Sequence, residues 1–385
     1  MRVVVVNFAY DERLRTPEDL LERYHSLTGW CEAIVVAGAS PVTVVQRFGA
    51  DASVQRNGVE YRFCNGRLPG SLLRRDPCQR VVAEGQAEIV HVNGLDFPLK
   101  TALLRRALRS DAALIVQDHA SGEPGPAGSI AHAARRSIRR RLMRPIDGFF
   151  FTSAAQSDGW RRAGLITDRQ PVYEVLEAST RLKRLDRTAA RKEAAIGGDP
   201  ALLWVGRLNA NKDPMTVLDA FEQSLARLPS SKLSMIFSEG ELLGAVRSRL
   251  AASPVLSARV ALIGKVAPER MASFYSAADI FVVGSHHEGS GYALLEACAC
   301  GLAPVVTDIP AFRTITNAGA IGALWPAGNS RALADAIVRT AGLDRDEARN
   351  RVLACFEQTL SWSAVGRAAM RAYRDVVARR RAKTA

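Results

Sequence analysis

The feature that most constrains this chain is an alternation: short β-branched runs separated by longer segments with helical spacing, repeated almost from end to end. In the first half the runs predicting strands are 3–7, 33–37, 89–93, 113–117 and 148–152, with a hairpin at Asn57-Gly58 between Val54 and Tyr61. Helical spacing lies between them at 17–27 and 99–108. A second series follows, with strands predicted at 201–206, 232–237, 259–263, 280–284 and 304–307 and helices near 214–227, 268–276 and 292–300. Strands that alternate with helices build parallel sheets covered on both faces. The expectation is therefore α/β: two Rossmann-like doubly wound domains in tandem with an interdomain cleft. The charged, Ala-rich stretch 181–200, ending in Gly-Gly-Asp-Pro, is the best linker. It sets an N-terminal domain at 1–185, a C-terminal domain at 186–360 and a final helix at 361–385.

Composition narrows the function classes. With 48% apolar and 24% charged residues over 385 positions, disorder is excluded as the main state. No apolar stretch reaches the ~18–20 residues of a spanning helix, and the run Val3–Val6 is too short for a secretory leader, so a cytoplasmic protein is expected. Six scattered cysteines show no C-x-x-C pair, and Cys298 and Cys300, two apart on a predicted helix, point to different faces. Buried free thiols are expected, and no metal site. The formal charge of +13 calls for an anionic partner, and only seven of the 52 cations are lysines. The densest cluster, Arg135, Arg136, Arg139, Arg140, Arg141 and Arg144, reads as a basic amphipathic helix, suited to anionic lipid or else simply solvated.

In open parallel sheets, ligands bind beyond the carboxyl ends of the strands, so the residues there carry the argument. After the strand ending at Gly206 come Arg207 and Lys212, then Pro214 opening a helix: two cations beside a helix N-terminus can clamp a diphosphate. After the strand ending at Gly284 comes Ser285-His286-His287-Glu288-Gly289-Ser290-Gly291, then a helix from Tyr292 that Gly301 ends. Bared amides at the positive end of that helix form an anion cradle. Glu288 and Glu296 can each accept two hydrogen bonds from neighbouring hydroxyls, one holding a ribose and the other a hexose. Solvated charges around two turns are the plainer alternative. The chain lacks a complete dinucleotide fingerprint, an H-E-x-x-H pair and a phosphate-binding Walker sequence.

The segment Gly206-Arg207-Leu208 with Lys212, the spacing Glu288-x7-Glu296 and the following Pro304-Val305-Val306 resemble the GT-B retaining glycosyltransferases of family 4 over about residues 200 to 340. The resemblance implies that Arg207 and Lys212 bind the donor diphosphate, Glu296 the ribose and Glu288 the donor sugar. It further implies that amides of Gly289, Ser290, Gly291 and Tyr292 contact sugar and phosphate, and that the base packs near Gly264-Lys265-Val266. The final helix would return to the first domain. His119, after the strand 113–117, matches a histidine that the family places near the reacting sugar; a structural hydrogen-bonder is its other reading. Asp118 and His91 are weaker candidates of the same kind. Two departures stand out: Asn7-Phe8-Ala9-Tyr10-Asp11 replaces a Gly-Gly loop, and Thr307-Asp308-Ile309-Pro310 replaces a Gly-rich turn.

The resemblance implies a nucleoside-diphosphate sugar as donor and a glycan, lipid-linked or small-molecule acceptor; the basic helix at 135–144 and the overall charge add an expected peripheral contact with an anionic membrane, and no nucleic acid is expected. A front-face substitution fits, in which a leaving phosphate oxygen deprotonates the acceptor and fixed cations stabilise the leaving group without a cofactor or metal. Asp344-x-Asp346 reads as a helix cap rather than a metal ligand. The alternatives are a non-catalytic protein that binds nucleic acid or anionic membrane on the same scaffold and, among enzymes, an epimerase or a phosphorylase.

Overall fold

The computed structural model describes residues 1–66, 77–119, 130–238 and 240–384. The chain divides into two compact units, Met1–Ser179 with Trp362–Ala385, and Thr180–Ser361. Among the described residues no helix is long and apolar enough to cross a membrane.

The sheet of the first unit contains β1 (Val3–Asn7), β2 (Val42–Phe48), β3 (Ala52–Arg56), β4 (Val59–Asn65), β5 (Ile89–Asn93), β6 (Ala113–Gln117), β7 (Gly148–Phe151) and β8 (Val172–Glu174). Their order is β3-β4-β2-β1-β5-β6-β7-β8, parallel except for the β3/β4 hairpin. Asn57 and Gly58 both take positive φ in that hairpin, as a tight two-residue turn requires. Val3 to Val6 are all buried, because a central parallel strand is covered on both faces.

Two sequence expectations fail here. Residues 33–37 do not form a strand, since Ala33 to Val36 end the helix His25–Val36. The β-branched run suggested a strand, but Leu27, Trp30, Cys31 and Ile34 recur at helical spacing and are buried, while Val36 is exposed. The strand lies instead at 42–48, where Gln46 hid it: this polar residue is buried, accepting from Asn7 Nδ2 at 2.8 Å and donating to the Ala9 carbonyl at 2.8 Å. His91 also proves structural, because its side chain lies on the core face of β5. Its ring is buried among Trp30, Phe150 and Tyr373, with Nδ1 2.7 Å from the Tyr373 hydroxyl.

The terminal helix Trp362–Thr384 completes the first unit. It packs on the helix 25–36 through a glycine from each: a Cβ on Gly366 would lie 2.2 Å from the Ala33 carbonyl oxygen, and one on Gly29 would lie 2.5 Å from the Trp362 ring. Tyr173 donates to Asp375 at 2.6 Å, and Arg380 and Arg381 reach Asp147 and Glu88 at 3.3 and 3.2 Å. The arginine-rich tail thus serves as a tether.

The second unit has an all-parallel sheet of β9 (Ala201–Arg207), β10 (Lys232–Ser238), β11 (Val260–Gly264), β12 (Ile280–Val283), β13 (Ala303–Thr307) and β14 (Ala323–Trp325), in the order β11-β10-β9-β12-β13-β14. The stretch 181–200, read as a linker, holds the helix Arg187–Ala194 within this unit. Arg187 and Arg191 bind Asp279 from that helix at 2.7 and 3.0 Å. Asp344 caps the helix Arg345–Cys355, accepting from Glu347 N at 2.8 Å, as read from the sequence.

Two stability predictions follow from this packing. Gly366→Ala sets a methyl group against backbone and should cost about 1–3 kcal/mol or more, more than Gly29→Ala, whose neighbour is a side chain; urea unfolding ranks them. Burial, with the charge of His119 adding to it, lowers the His91 pKa from 6.5 to about 3. Between those values the unfolded chain takes up a proton that the folded one refuses, so stability falls as pH drops. Relative to His91→Gln, the wild type should lose up to about 1.4 kcal/mol per pH unit across that window; equal slopes in urea titrations would refute this.

Candidate active site

In the second unit the chain runs from β9 outward through β10 and β11, then returns to the other side of β9 for β12 and the strands beyond. The crossovers diverge at that point, and it is there that an open α/β sheet leaves a crevice. β12 pairs with β9 only at Ile280↔Leu202 and Phe281↔Leu203, so the strands part toward their carboxyl ends. The two loops singled out from the sequence, 207–213 and 285–291, flank this opening.

Asn211 ties the loops together. Its side chain accepts from His287 N at 3.0 Å and donates to the His287 carbonyl at 3.1 Å, and its own carbonyl accepts from His286 N at 2.8 Å. Lys212 Nζ forms an ion pair with Glu288, both side chains being mostly buried. Asp213, at φ 42°, caps the helix Pro214–Ser224 through Thr216 N and lies 3.3 Å from His286 Nε2. Gly284 lets the loops meet, since a Cβ there would lie 3.2 and 3.3 Å from the carbonyl oxygens of Asp213 and Lys212. Arg207 ends β9 exposed, and among the described residues no hydrogen bond or ion pair holds its guanidinium.

The helix Tyr292–Ala299 opens from Gly291, which takes φ 62°. A Cβ at Gly291 would stand 3.0 Å from Phe312 and 3.2 Å from Ile315, on the helix Pro310–Ile315 that follows β13. The helix that follows the divergent turn after β13 therefore packs directly against Gly291. Ser290 is buried, and Tyr292 remains 39% exposed. Thr307 donates to the Ser285 carbonyl at 2.5 Å and fixes the loop's start. One turn into the helix, Glu296 accepts at 2.8 Å from the hydroxyl of Tyr275, a fully buried residue on the helix Met271–Ala277. Burial raises the Glu296 pKa, and the Tyr275 hydrogen bond pulls it partly back.

The first unit has its own switch point, beside β1, where the chain goes first to β2 and later to β5. A cavity of about 290 Å³ opens there, lined by the strand-end residues Asn7, Asn93 and Gln117, by Trp30, and by His119 and Glu177. His119 Nδ1 pairs with Glu177. Burial pulls the His119 pKa down, but the charge and hydrogen bond of Glu177 and the charge of Asp118 outweigh it and hold it above the usual value. Where the sequence departs from a Gly-Gly loop, Asn7 caps the turn, accepting from Ala9 N at 3.1 Å.

The structure thus gathers Arg207, Lys212, Glu288, Gly289, Ser290, Gly291, Tyr292 and Glu296 at one crevice of the second unit. Val266 lies in the loop after β11, two strands away from β9. His119 belongs to the first unit. Sequence reading missed Asn211, Tyr275 and Glu177: a loop asparagine, a core-patterned tyrosine and a carboxylate beyond the last strand carry no periodic or motif signal.

Residues 186–352 match the family described as glycosyl transferases group 1. The D-inositol 3-phosphate glycosyltransferase of Nocardia farcinica is 32% identical over 176 residues, which cover 44% of this chain and 39% of that protein. The GDP-mannose:cellobiosyl-diphosphopolyprenol alpha-mannosyltransferase of Xanthomonas campestris is 24% identical over 278 residues, covering 70% and 69%. The chain thus spans well under half the length of the first relative. Among solved structures, a sucrose-phosphate synthase from Thermosynechococcus elongatus aligns with TM-score 0.68 and 19% identity over 98% of this chain and all of that one. Anabaena HepE in complex with UDP and glucose aligns with TM-score 0.68 and 15% identity over 97% and 100%. These neighbours share the fold, two Rossmann-like units of the GT-B class. Residues 186–352 are therefore a domain of the glycosyl transferases group 1 family.

Proposed function

We propose that this chain is a retaining glycosyltransferase that moves a hexose-type sugar from a nucleoside-diphosphate sugar to a glycan, lipid-linked or small-molecule acceptor. The observation that carries the reading is the crevice between β9 and β12. It brings the Arg207 guanidinium, unpartnered among the described residues, and the N-terminus of the helix 292–299 together with the Lys212–Glu288 ion pair and with Glu296, which already accepts from one hydroxyl, that of Tyr275. In this reading Arg207 and Lys212 take the diphosphate and stabilise its charge as it leaves, which is the largest demand of the reaction. Amides of Gly289 to Tyr292 contact phosphate and sugar, Glu296 holds the ribose, and the base packs near Val266. Glu288 holds the donor sugar, and a bound diphosphate would draw Lys212 from it.

Transfer with retention puts the acceptor on the face the diphosphate leaves. A phosphate oxygen takes the acceptor's proton as the new glycosidic bond forms and the sugar–phosphate bond breaks. No metal or cofactor has a role in this account. Two comparisons favour a nucleotide-sugar donor: one relative is named for GDP-mannose, and one neighbour was solved with UDP and glucose. The cavity of the first unit suits a hydroxyl-rich acceptor, because amides and carboxylates pair with hydroxyls and Trp30 supplies an apolar wall. His119, favoured in its charged form, would donate a hydrogen bond to a reacting sugar.

A cytoplasmic protein with peripheral membrane contact fits a lipid-linked acceptor. In the helix Ile130–Met143, Arg139 donates to the Leu95 carbonyl at 3.0 Å and lies over the Trp160 ring, and Arg140 donates to Gly164. Arg135 and Arg141 share an outward face with Ile138, which is 61% exposed. That face is the one proposed to meet anionic lipid.

The test is thermal stability with UDP, GDP, ADP and dTDP, with and without magnesium. One nucleotide at about a hundred times its Kd should stabilise by about 2.7 kcal/mol without metal. Arg207→Ala should reduce that shift and lower transfer about 100-fold or more, with unfolding unchanged because the side chain holds nothing in the fold; a rate within a few fold of wild type would defeat the account. Separately, replacing Arg135 and Arg141 together by serine should reduce sedimentation with anionic vesicles and spare nucleotide binding. Unchanged sedimentation would remove the membrane from the proposal.

A further inference from the structure

Glu296 is held from outside its own loop and helix. Among the described residues, the Tyr275 hydroxyl is the hydrogen-bond partner of its carboxylate, at 2.8 Å. Tyr275 is itself fixed: fully buried on the helix 271–277, its ring lies 6.3 Å from that of Phe281 on β12. The hydroxyl meets Oε2, which leaves Oε1 without a partner among the described residues. A half-buried carboxylate with one oxygen anchored and the other open is prepared to accept from a vicinal diol. Anchoring also removes the rotamer freedom that a glutamate otherwise loses on binding.

We propose that Tyr275 is a positioning residue of the nucleotide site: its hydroxyl holds the Glu296 carboxylate in one orientation, ready for ribose hydroxyls. This rests on the reading of Glu296 given above. Among the described residues, the ionisable groups that interact with Glu296 are Tyr275 itself and Cys300. Burial, reinforced by the charge of Glu296, raises the tyrosine well above its usual value. Burial also pushes the Cys300 thiol up to about 12, against a hydrogen bond from Ser276. Both therefore stay neutral at neutral pH, so the glutamate is the group that titrates. Burial drives its pKa up and the Tyr275 hydrogen bond is the opposing influence, so removing the hydroxyl moves the midpoint higher.

The first arm of the test needs no ligand. In protein labelled with carbon-13 at the glutamate carboxyl, the Glu296 signal is assigned by its loss in Glu296→Gln and followed through a pH titration. Tyr275→Phe should raise the midpoint by about one unit; an unchanged midpoint overturns the proposal. The second arm follows stabilisation by UDP, GDP, ADP and dTDP between pH 5 and 8. Binding that needs the charged glutamate fades as pH falls, and in Tyr275→Phe it should fade at a pH about one unit higher while persisting at pH 8. A loss of packing alone would weaken binding equally at every pH and would count against the proposal. If Glu296→Ala abolishes the stabilisation and Tyr275→Phe leaves its pH profile unchanged, the nucleotide site stands and the role of Tyr275 falls. If Glu296→Ala changes nothing, the reading of Glu296 falls and takes the proposal with it.

Discussion

Both sheets grow in two directions from their first strand, and the rest of the molecule's organisation depends on that constraint. A right-handed crossover can leave β1 or β9 toward either side of its sheet. Once the chain has used both sides, no helix covers the gap between the two sets of crossovers. Backbone amides and strand-end side chains gather at this gap: Asn7, Asn93 and Gln117 in the first unit, and Arg207, Asn211 and the 285–291 loop in the second. The chemistry-bearing residues need no special fold beyond this. They occupy the place that parallel topology leaves open.

Within the second unit, the site is a pair of loops that constrain each other. Asn211 substitutes for a backbone ladder just where β9 and β12 stop pairing, and the Lys212–Glu288 ion pair closes the same gap a residue later. Removing one partner from such a mostly buried pair leaves the other charge without compensation, a cost larger than the net worth of the pair itself. The diphosphate-binding cation and the sugar-binding carboxylate proposed here therefore cannot be changed independently. Whatever alters Lys212 also alters the setting of Glu288.

Legibility from sequence followed the physics of each element. Val3 to Val6 announced a central strand because a doubly covered strand must be apolar throughout. Asn57-Gly58 announced a turn because few residues accept two positive φ angles. The cations and glutamates of the crevice were visible because a loop, a helix start and a seven-residue interval fix their relative places locally. What escaped depends on contacts between distant segments. The run 33–36 looks like a strand until its helical partners Leu27 and Trp30 are weighed, and Gln46 looks exposed until Asn7 is placed beside it. Tyr275 looks like any core aromatic, since nothing in its own helix indicates that its hydroxyl finds Glu296 twenty-one residues later. His91 shows the converse: it is read as a weaker candidate of the same kind as His119, yet in the middle of β5 its ring fills an aromatic box under the terminal helix.

The return of the terminal helix to the first unit makes the second unit an insertion between Ser179 and Trp362. On the ribosome, every strand of the first unit emerges before the second unit does, yet the helix that closes over His91 and Gly29 is made only after it. The inserted unit, contiguous from Thr180 to Ser361, can fold as soon as it emerges, since domains generally fold as units during synthesis. The first unit must wait with its 25–36 face uncovered. Of the two units, the one whose synthesis begins earlier is thus the later to be completed, and removing the helix Trp362–Thr384 would damage a fold whose strands all precede residue 180.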